Sequence, residues 1–308
     1  MLQHFLLVAG QVVTLFLLMG VGFALAQLGK LAAEGISQMT TLILYVVTPC
    51  LIIQAFSVQP ADGMAGRLLT FAGFYGFFTL LCAGAALLAA RKEPPARQGP
   101  LRFAMVYGNN GFMGIPLLLA VVGEDAVVYG VISIVVFNLL LWTHGVKTMG
   151  GKVTLRQAIL NPATAGLVIG IPLFLTGLRL PGTIENAVGF LADLNTPMAM
   201  VIIGAQMAGA DLKVSFTSLK LYRVAAFRLL LAPLPALLIL PLLHTDPTLY
   251  YSVVILCGVP SAGMTGMLAQ RFNGDTAVAA QVVTLTTLLS ILTLPVMVVA
   301  ARLLSGGL

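Results

Sequence analysis

The chain has 308 residues, of which 59% are hydrophobic and only 8% charged, with a mean hydropathy of +1.03. An ordinary soluble domain has about a quarter of its residues charged, so this composition excludes a water-covered fold. At about 20 apolar residues per crossing, the length allows about ten membrane spans and no separate soluble domain. The net charge of +6 does not signal nucleic-acid binding, because the basic residues are scattered singly over short loops; no nucleic-acid partner is expected.

Apolar windows predict spans at 5–28, 36–56, 66–90, 101–122, 125–146, 161–180, 184–210, 222–243, 248–270 and 275–302. The first reads MLQHFLLVAGQVVTLFLLMGVGFALAQLG, longer than a signal-peptide core, with no basic residue before it and no cleavage site. In the second, Thr48-Pro49 predicts a kink, as Thr196-Pro197 does in the seventh. The three cysteines, Cys50, Cys82 and Cys257, fall inside spans at spacings that suit neither a metal site nor a disulfide framework. They read as packing residues, and no metal or cofactor is expected.

Span four contains Tyr107-Gly108-Asn109-Asn110-Gly111-Phe112-Met113-Gly114-Ile115-Pro116, two amides, three glycines and a proline near the midplane. In a helix interior glycine costs about 1 kcal/mol and proline about 3 kcal/mol relative to alanine, and lipid offers no water to the carbonyls they release. A break is expected, with Asn109 as cap and Pro116 as first-turn residue implying different registers. Span nine carries Cys257-Gly258-Val259-Pro260-Ser261-Ala262-Gly263 at the equivalent depth. In span five, Asn138 reads as a hydrogen bond within the bundle, and Trp142 and His144 as interfacial anchors. Gly166 and Gly170 in span six predict a close helix contact. Asp193 in span seven is either an intramembrane acid, and then a candidate for ion coupling, or merely interfacial. Arg228, about one turn inside span eight, is expected to snorkel toward the basic side.

The basic residues sort by loop. Odd-numbered loops hold twelve of the sixteen: Lys30; Arg91, Lys92, Arg97 and Arg102; Lys147, Lys152 and Arg156; Lys213, Lys220 and Arg223; and Arg271. By the positive-inside rule these loops are cytoplasmic and both termini lie outside.

An internal repeat agrees with that count. Gly29, Ile36, Thr48 and Pro49 recur 148 positions later as Gly177, Ile184, Thr196 and Pro197, and Gly123 and Ala126 recur 151 positions later as Gly274 and Ala277. Five spans per copy give the copies opposite orientations, an arrangement typical of secondary transporters. The predicted fold is therefore an all-α polytopic membrane protein. Its ten transmembrane helices form two inverted five-helix repeats, residues 1–147 and 161–308, joined by a connecting loop at 148–160, with helices four and nine broken. The second half of each broken helix starts at the midplane, so both positive dipole ends point to the centre, where they suit an anion. Asn109, Asn110 and Ser261 add candidate donors, and Pro260 suits a first helical turn.

The segment NNGFMGIPLLLAVVGEDAVVYGVISIVVFNLLLWTHGV resembles the auxin efflux carrier family in its bacterial branch. So do NPATAGLVIGIPL, TPMAMVIIGAQMA and GVPSAGMTGMLAQRFNGDTAVAAQVVTLTTLLSILTLP, and the likeness covers nearly the whole chain. It implies helices four and nine crossing at the substrate site, as in plant PIN-FORMED carriers and, more distantly, bile acid–sodium symporters. Carried onto this sequence, the crossing is Asn109, Asn110, Gly111 and Pro116 with Pro260, Ser261 and Gly263. It also implies a scaffold of helices 1, 2, 6 and 7 and an elevator-like transport domain of helices 3–5 and 8–10. The long cytoplasmic loop of plant members is missing here. The expected function is secondary transport of a small organic anion, an auxin-like carboxylate or a dicarboxylate, across the bacterial cytoplasmic membrane, with efflux as the first reading, sodium- or proton-coupled uptake as the alternative and a channel as a more distant one. The expected partners are that anion and the lipid bilayer, and a homodimer through the scaffold helices is compatible with them. A membrane enzyme is disfavoured, because His4, His144 and His244 lie at span ends and no paired intramembrane carboxylates occur.

Overall fold

The computed structural model describes residues 2–57, 63–154, 162–210 and 212–305. Residues 155–161, with Arg156 and the second half of the expected connecting loop, lie outside the described residues. Among the described residues the chain is helical without strands; the single β-type pairing is an isolated antiparallel bridge between Gly108 and Ser261. The helices are α1 (Leu2–Gln27), α2 (Ala33–Phe56), α3 (Met64–Ala89), α4 (Pro95–Val106), α5 (Asn110–Val121), α6 (Glu124–Thr148) and α7 (Pro162–Thr176). They continue with α8 (Gly182–Ala208), α9 (Leu212–Thr217), α10 (Leu219–Leu243), α11 (Pro247–Gly258), α12 (Met264–Arg271) and α13 (Thr276–Leu304).

Seven of these helices are long and apolar enough to cross a membrane: α1, α2, α3, α6, α8, α10 and α13. The fourth and ninth predicted spans are instead interrupted. Span four divides into α4 and α5, and span nine into α11 and α12, because the Gly-Asn and Val-Pro-Ser-Ala-Gly stretches leave the helical conformation. The sixth span is the shorter apolar helix α7. Large apolar side chains such as Leu69, Phe190, Leu242 and Leu292 stand exposed on the outer surface, as lipid-facing positions should.

Helix ends follow local chemistry. Asp246 and Asp275 cap α11 and α13, their carboxylates accepting from the backbone N–H of Leu249 and Val278, both at 3.0 Å. Gly29 and Gly177, 148 positions apart, close α1 and α7 with the same left-handed φ of 68°.

Two helix pairs pack almost backbone to backbone. A Cβ on Gly22 would collide with the Val201 carbonyl and one on Gly204 with that of Met19, so α1 lies directly on α8. Gly166 meets Pro49 and Ile52, and Gly170 meets Phe56, so α7 lies on α2. This is the close contact expected of those glycines. The second pair repeats the first, since Gly22 and Phe56 each stand 148 positions before Gly170 and Gly204.

Polar ties gather loops three, seven and nine at one end of the molecule. Arg97 pairs with Asp275 at 2.9 Å, the Asp275 N–H donates to the Ala96 carbonyl at 2.8 Å, and Lys220 pairs with Glu93 at 3.2 Å.

Candidate functional site

The two interruptions meet. The Asn109 N–H donates to the Pro260 carbonyl at 2.8 Å, and the Ala262 N–H donates to the Tyr107 carbonyl at 2.9 Å. Each break thus satisfies backbone groups that the other leaves free, which is what permits non-helical backbone at this depth. Ser261, fully buried, braces the crossing: its hydroxyl donates to the Ala104 carbonyl at 2.8 Å, and its N–H donates to Thr286 Oγ1 at 3.2 Å.

Arg228 occupies the other side of the crossing. It is 3% exposed, so it does not snorkel to the interface as its sequence position suggests. Its Nε donates to the Val259 carbonyl at 2.8 Å, Nη1 to Val106 at 2.9 Å and Nη2 to Leu256 at 3.4 Å. A π-turn at Phe227–Leu231, just before Pro233 and Pro235, shifts the register of α10 where the arginine leaves it. Gly108 makes room, since a Cβ there would collide with the guanidinium and come within 2.8 Å of the Val259 side chain. The guanidinium therefore lies against the C-terminal, partially negative ends of α4 and α11.

The N-terminal ends of α5 and α12 face the opposite way, into a cavity of about 310 Å³. Its polar lining includes Thr40, Asn109, Asn110, Asn138, Asn195 and Gln206, with Arg271 as its charged member. Helix geometry leaves the first N–H groups of α5 unused within the helix. Asn109 is 4% exposed, and its amide nitrogen has no hydrogen-bond partner; Asn110 is 2% exposed, and its amide oxygen has none. The Asn110 amide nitrogen contacts the Tyr75 hydroxyl. With the amide turned, Tyr75 becomes the donor to the oxygen, and the Asn110 amino group is freed as a second donor. Trp142 Nε1 is likewise buried without a partner, beside a cavity wall where Arg271 stacks 6.0 Å from its ring. The arrangement offers donors, dipole ends and one cation, which is the chemistry of anion recognition.

The cavity is one-sided. α8 contributes residues 195–206 and α12 residues up to Arg271, the parts of each nearest an odd-numbered loop, while α6 contributes residues 134–142 and α2 its middle, residues 40–48. Along α8 and α12 the lining thus extends toward the end where those loops gather.

Of the residues singled out from sequence, Asn109, Asn110, Gly111 and Gly263 line the cavity. Pro260 and Ser261 lie in the crossing but outside the lining, and Pro116 is buried in the first turn of the α-helical part of α5. Asp193 is exposed on α8 and does not line the cavity. Asn138 donates to the Ile134 carbonyl of its own helix at 2.9 Å rather than across the bundle. His144 is half-buried, and its Nδ1 is 3.0 Å from the Tyr107 hydroxyl, which ties α6 to the break. Sequence reasoning missed Arg228, Arg271, Asn195 and Gln206. A charge flanked by apolar residues about one turn inside a span was the available signal for Arg228.

The described fold is that of a polytopic membrane protein whose internal cavity ends at the crossing of two broken helices. The family profile described as "Membrane transport protein" matches residues 7–153 and again residues 149–298. The chain belongs to this family, that of the auxin efflux carriers, and is a membrane transporter. It is 26% identical over 302 residues to a Rhizobium meliloti (strain 1021) protein named "Putative malonate transporter", covering 93% of each chain. It is 25% identical over 291 residues to an uncharacterized transporter of Methanothermobacter thermautotrophicus, covering 92% of this chain and 95% of that one. An uncharacterized transporter of Methanocaldococcus jannaschii is 23% identical over 296 residues.

Proposed function

We propose that this transporter carries a small organic anion, a mono- or dicarboxylate, out of the cell across the cytoplasmic membrane. The observation that carries the reading is the cavity in which the unpartnered Asn109 amide and the N-terminal ends of α5 and α12 converge. A volume of about 310 Å³ suits a small metabolite. Arg271, roughly 10 Å along α12 from Met264 at 1.5 Å per residue, reaches back as a second anchor for a dianion. The name of the Rhizobium meliloti relative agrees with a dicarboxylate.

The architecture we propose is ten membrane-crossing units in two inverted five-helix repeats. It is supported by the two profile matches, the twin glycine closures at Gly29 and Gly177, and the corresponding packing of α1 on α8 and α7 on α2. Those four helices form the scaffold, and the crossing moves with the remaining helices as an elevator. The cavity opens toward the odd-numbered, basic loops, which the positive-inside rule makes cytoplasmic, so this conformation faces inward.

Export needs no coupled ion. A potential of 100 mV is worth about 2.3 kcal/mol per elementary charge, so an interior-negative membrane expels anions. The test is carboxylate flux in proteoliposomes under an imposed potassium-diffusion potential, in wild type and Asp193→Asn. Currents that reverse with the potential without a sodium or pH gradient, and persist in the variant, support the reading. Strict dependence on a gradient, or its loss in Asp193→Asn, replaces it with a coupled symporter.

A further inference from the structure

We propose that Arg228 is a built-in counter-cation for the helix crossing, taking the position that a bound metal cation would otherwise have to fill. Where helices break inside a membrane, the carbonyls at the ends of the first halves are unsatisfied and carry partial negative charge, and such ends are places where sodium or a proton is held. Here those ends belong to α4 and α11, and three of their carbonyls, on Val106, Leu256 and Val259, converge on one guanidinium. The planar fork meets them in three directions at once, which an ammonium point charge does not reproduce.

Among the described residues the charge has no carboxylate partner. The ion pairs among the described residues, Arg97 with Asp275 and Lys220 with Glu93, lie at the loop end, and Arg228 is not in either. The guanidinium is only 3% exposed, so it faces the three carbonyls rather than solvent. Space leaves no room for a hydrated second cation beside it. The void bordered by Arg228, Tyr75, Thr79, Cys82 and Cys257 measures about 10 Å³, room for about one water. Gly108 completes the design, because any side chain there would displace the guanidinium.

The consequence is electrostatic. Both negative dipole ends are neutralised on the buried side, while both positive ends remain directed at the cavity, so the site favours anions without a metal ion loaded at the crossing. Arg228 does not line the cavity; it acts through the backbone it holds, as a positioning residue. The proposal deepens the anion-carrier reading, but its first test stands on the geometry alone.

That test is thermal unfolding of the purified full chain at equal ionic strength in choline, sodium or methylguanidinium chloride, for wild type and Arg228→Ala, Arg228→Met and Arg228→Lys. Wild type should melt at one temperature in all three salts. Arg228→Ala should melt several degrees lower in choline and recover with methylguanidinium, Arg228→Lys should recover part of the loss, and Arg228→Met should not recover. An Arg228→Met midpoint equal to wild type, or an Arg228→Ala midpoint equal to wild type in choline, would overturn the proposal. Should the alanine and methionine variants not fold, the wild type still decides through labelled-carboxylate counterflow in choline medium: full activity there supports the inference, and an absolute sodium requirement ends it. Absence of any carboxylate flux in every medium would defeat the carrier reading instead, and the Arg228→Lys midpoint in choline, below wild type if the guanidinium fork is needed and equal to it if not, would then decide the inference.

Discussion

The Asn195 side chain donates to the Gly111 carbonyl at 2.9 Å, tying the middle of α8 to the first turn of α5. In the proposed division this is a bond between the scaffold and the moving crossing. Asn195→Ala leaves a carbonyl in a polar, partly buried place without its donor, a loss of about 1–3 kcal/mol. The purified variant should unfold a few degrees below wild type. An unchanged midpoint would mean that the bond does not constrain the resting conformation.

Asn109 carries the strongest prediction for binding, because its amide nitrogen is buried beside the cavity without a partner. A hydrogen bond to a charged ligand is worth about 1.5–3 kcal/mol, so Asn109→Ala should weaken carboxylate binding about ten- to a hundredfold. Asn109→Asp, which adds a like charge, should weaken it further. Calorimetry on folded variants with wild-type affinity would move the site elsewhere.

Arg271 is exposed and stacks near Trp142, so its contribution should be modest and sensitive to salt. Arg271→Gln should lower affinity for a dicarboxylate by up to about fivefold, the upper range for an exposed charge pair. The effect on a monocarboxylate should be smaller, and the difference should shrink as salt is raised. Equal losses for both ligands at all salt concentrations would remove Arg271 as the second anchor.

Gly108→Ala should be destabilising, since the added methyl meets both Arg228 and Val259. Overpacking of this kind costs about 1–3 kcal/mol. Combined with Arg228→Ala, which empties part of that space, the loss should be smaller than the sum of the single losses, as contacting residues are not additive. Full additivity in thermal unfolding would separate the two positions.

Orientation is open to a direct check. A reporter active only in the periplasm should light up when fused after Leu308 and stay dark when inserted near Arg97. The opposite pattern would reverse the direction in which the cavity faces.

The amino-acid sequence alone determined whatever depends on composition along a short stretch of chain. Apolar runs set the membrane class, and Gly-Asn and Pro-Ser-Ala-Gly stretches located the two breaks because they disfavour helix wherever they sit. The glycine spacing also carried the repeat, seen again in the closures at Gly29 and Gly177. What remained hidden depends on residues brought together from far apart. Arg228 reaches Val106, 122 positions away, and Asn195 reaches Gly111, 84 positions away. A π-turn in α10 sets the direction of that arginine, and periodicity does not hold across such a turn. Similarly, Asn109 and Ser261 looked equivalent as donors, yet only the folded chain gives Ser261 an acceptor in Ala104 and leaves Asn109 facing the cavity unpaired. Which polar group is satisfied and which is left for a ligand is a property of neighbours in space, and that only the tertiary structure decided.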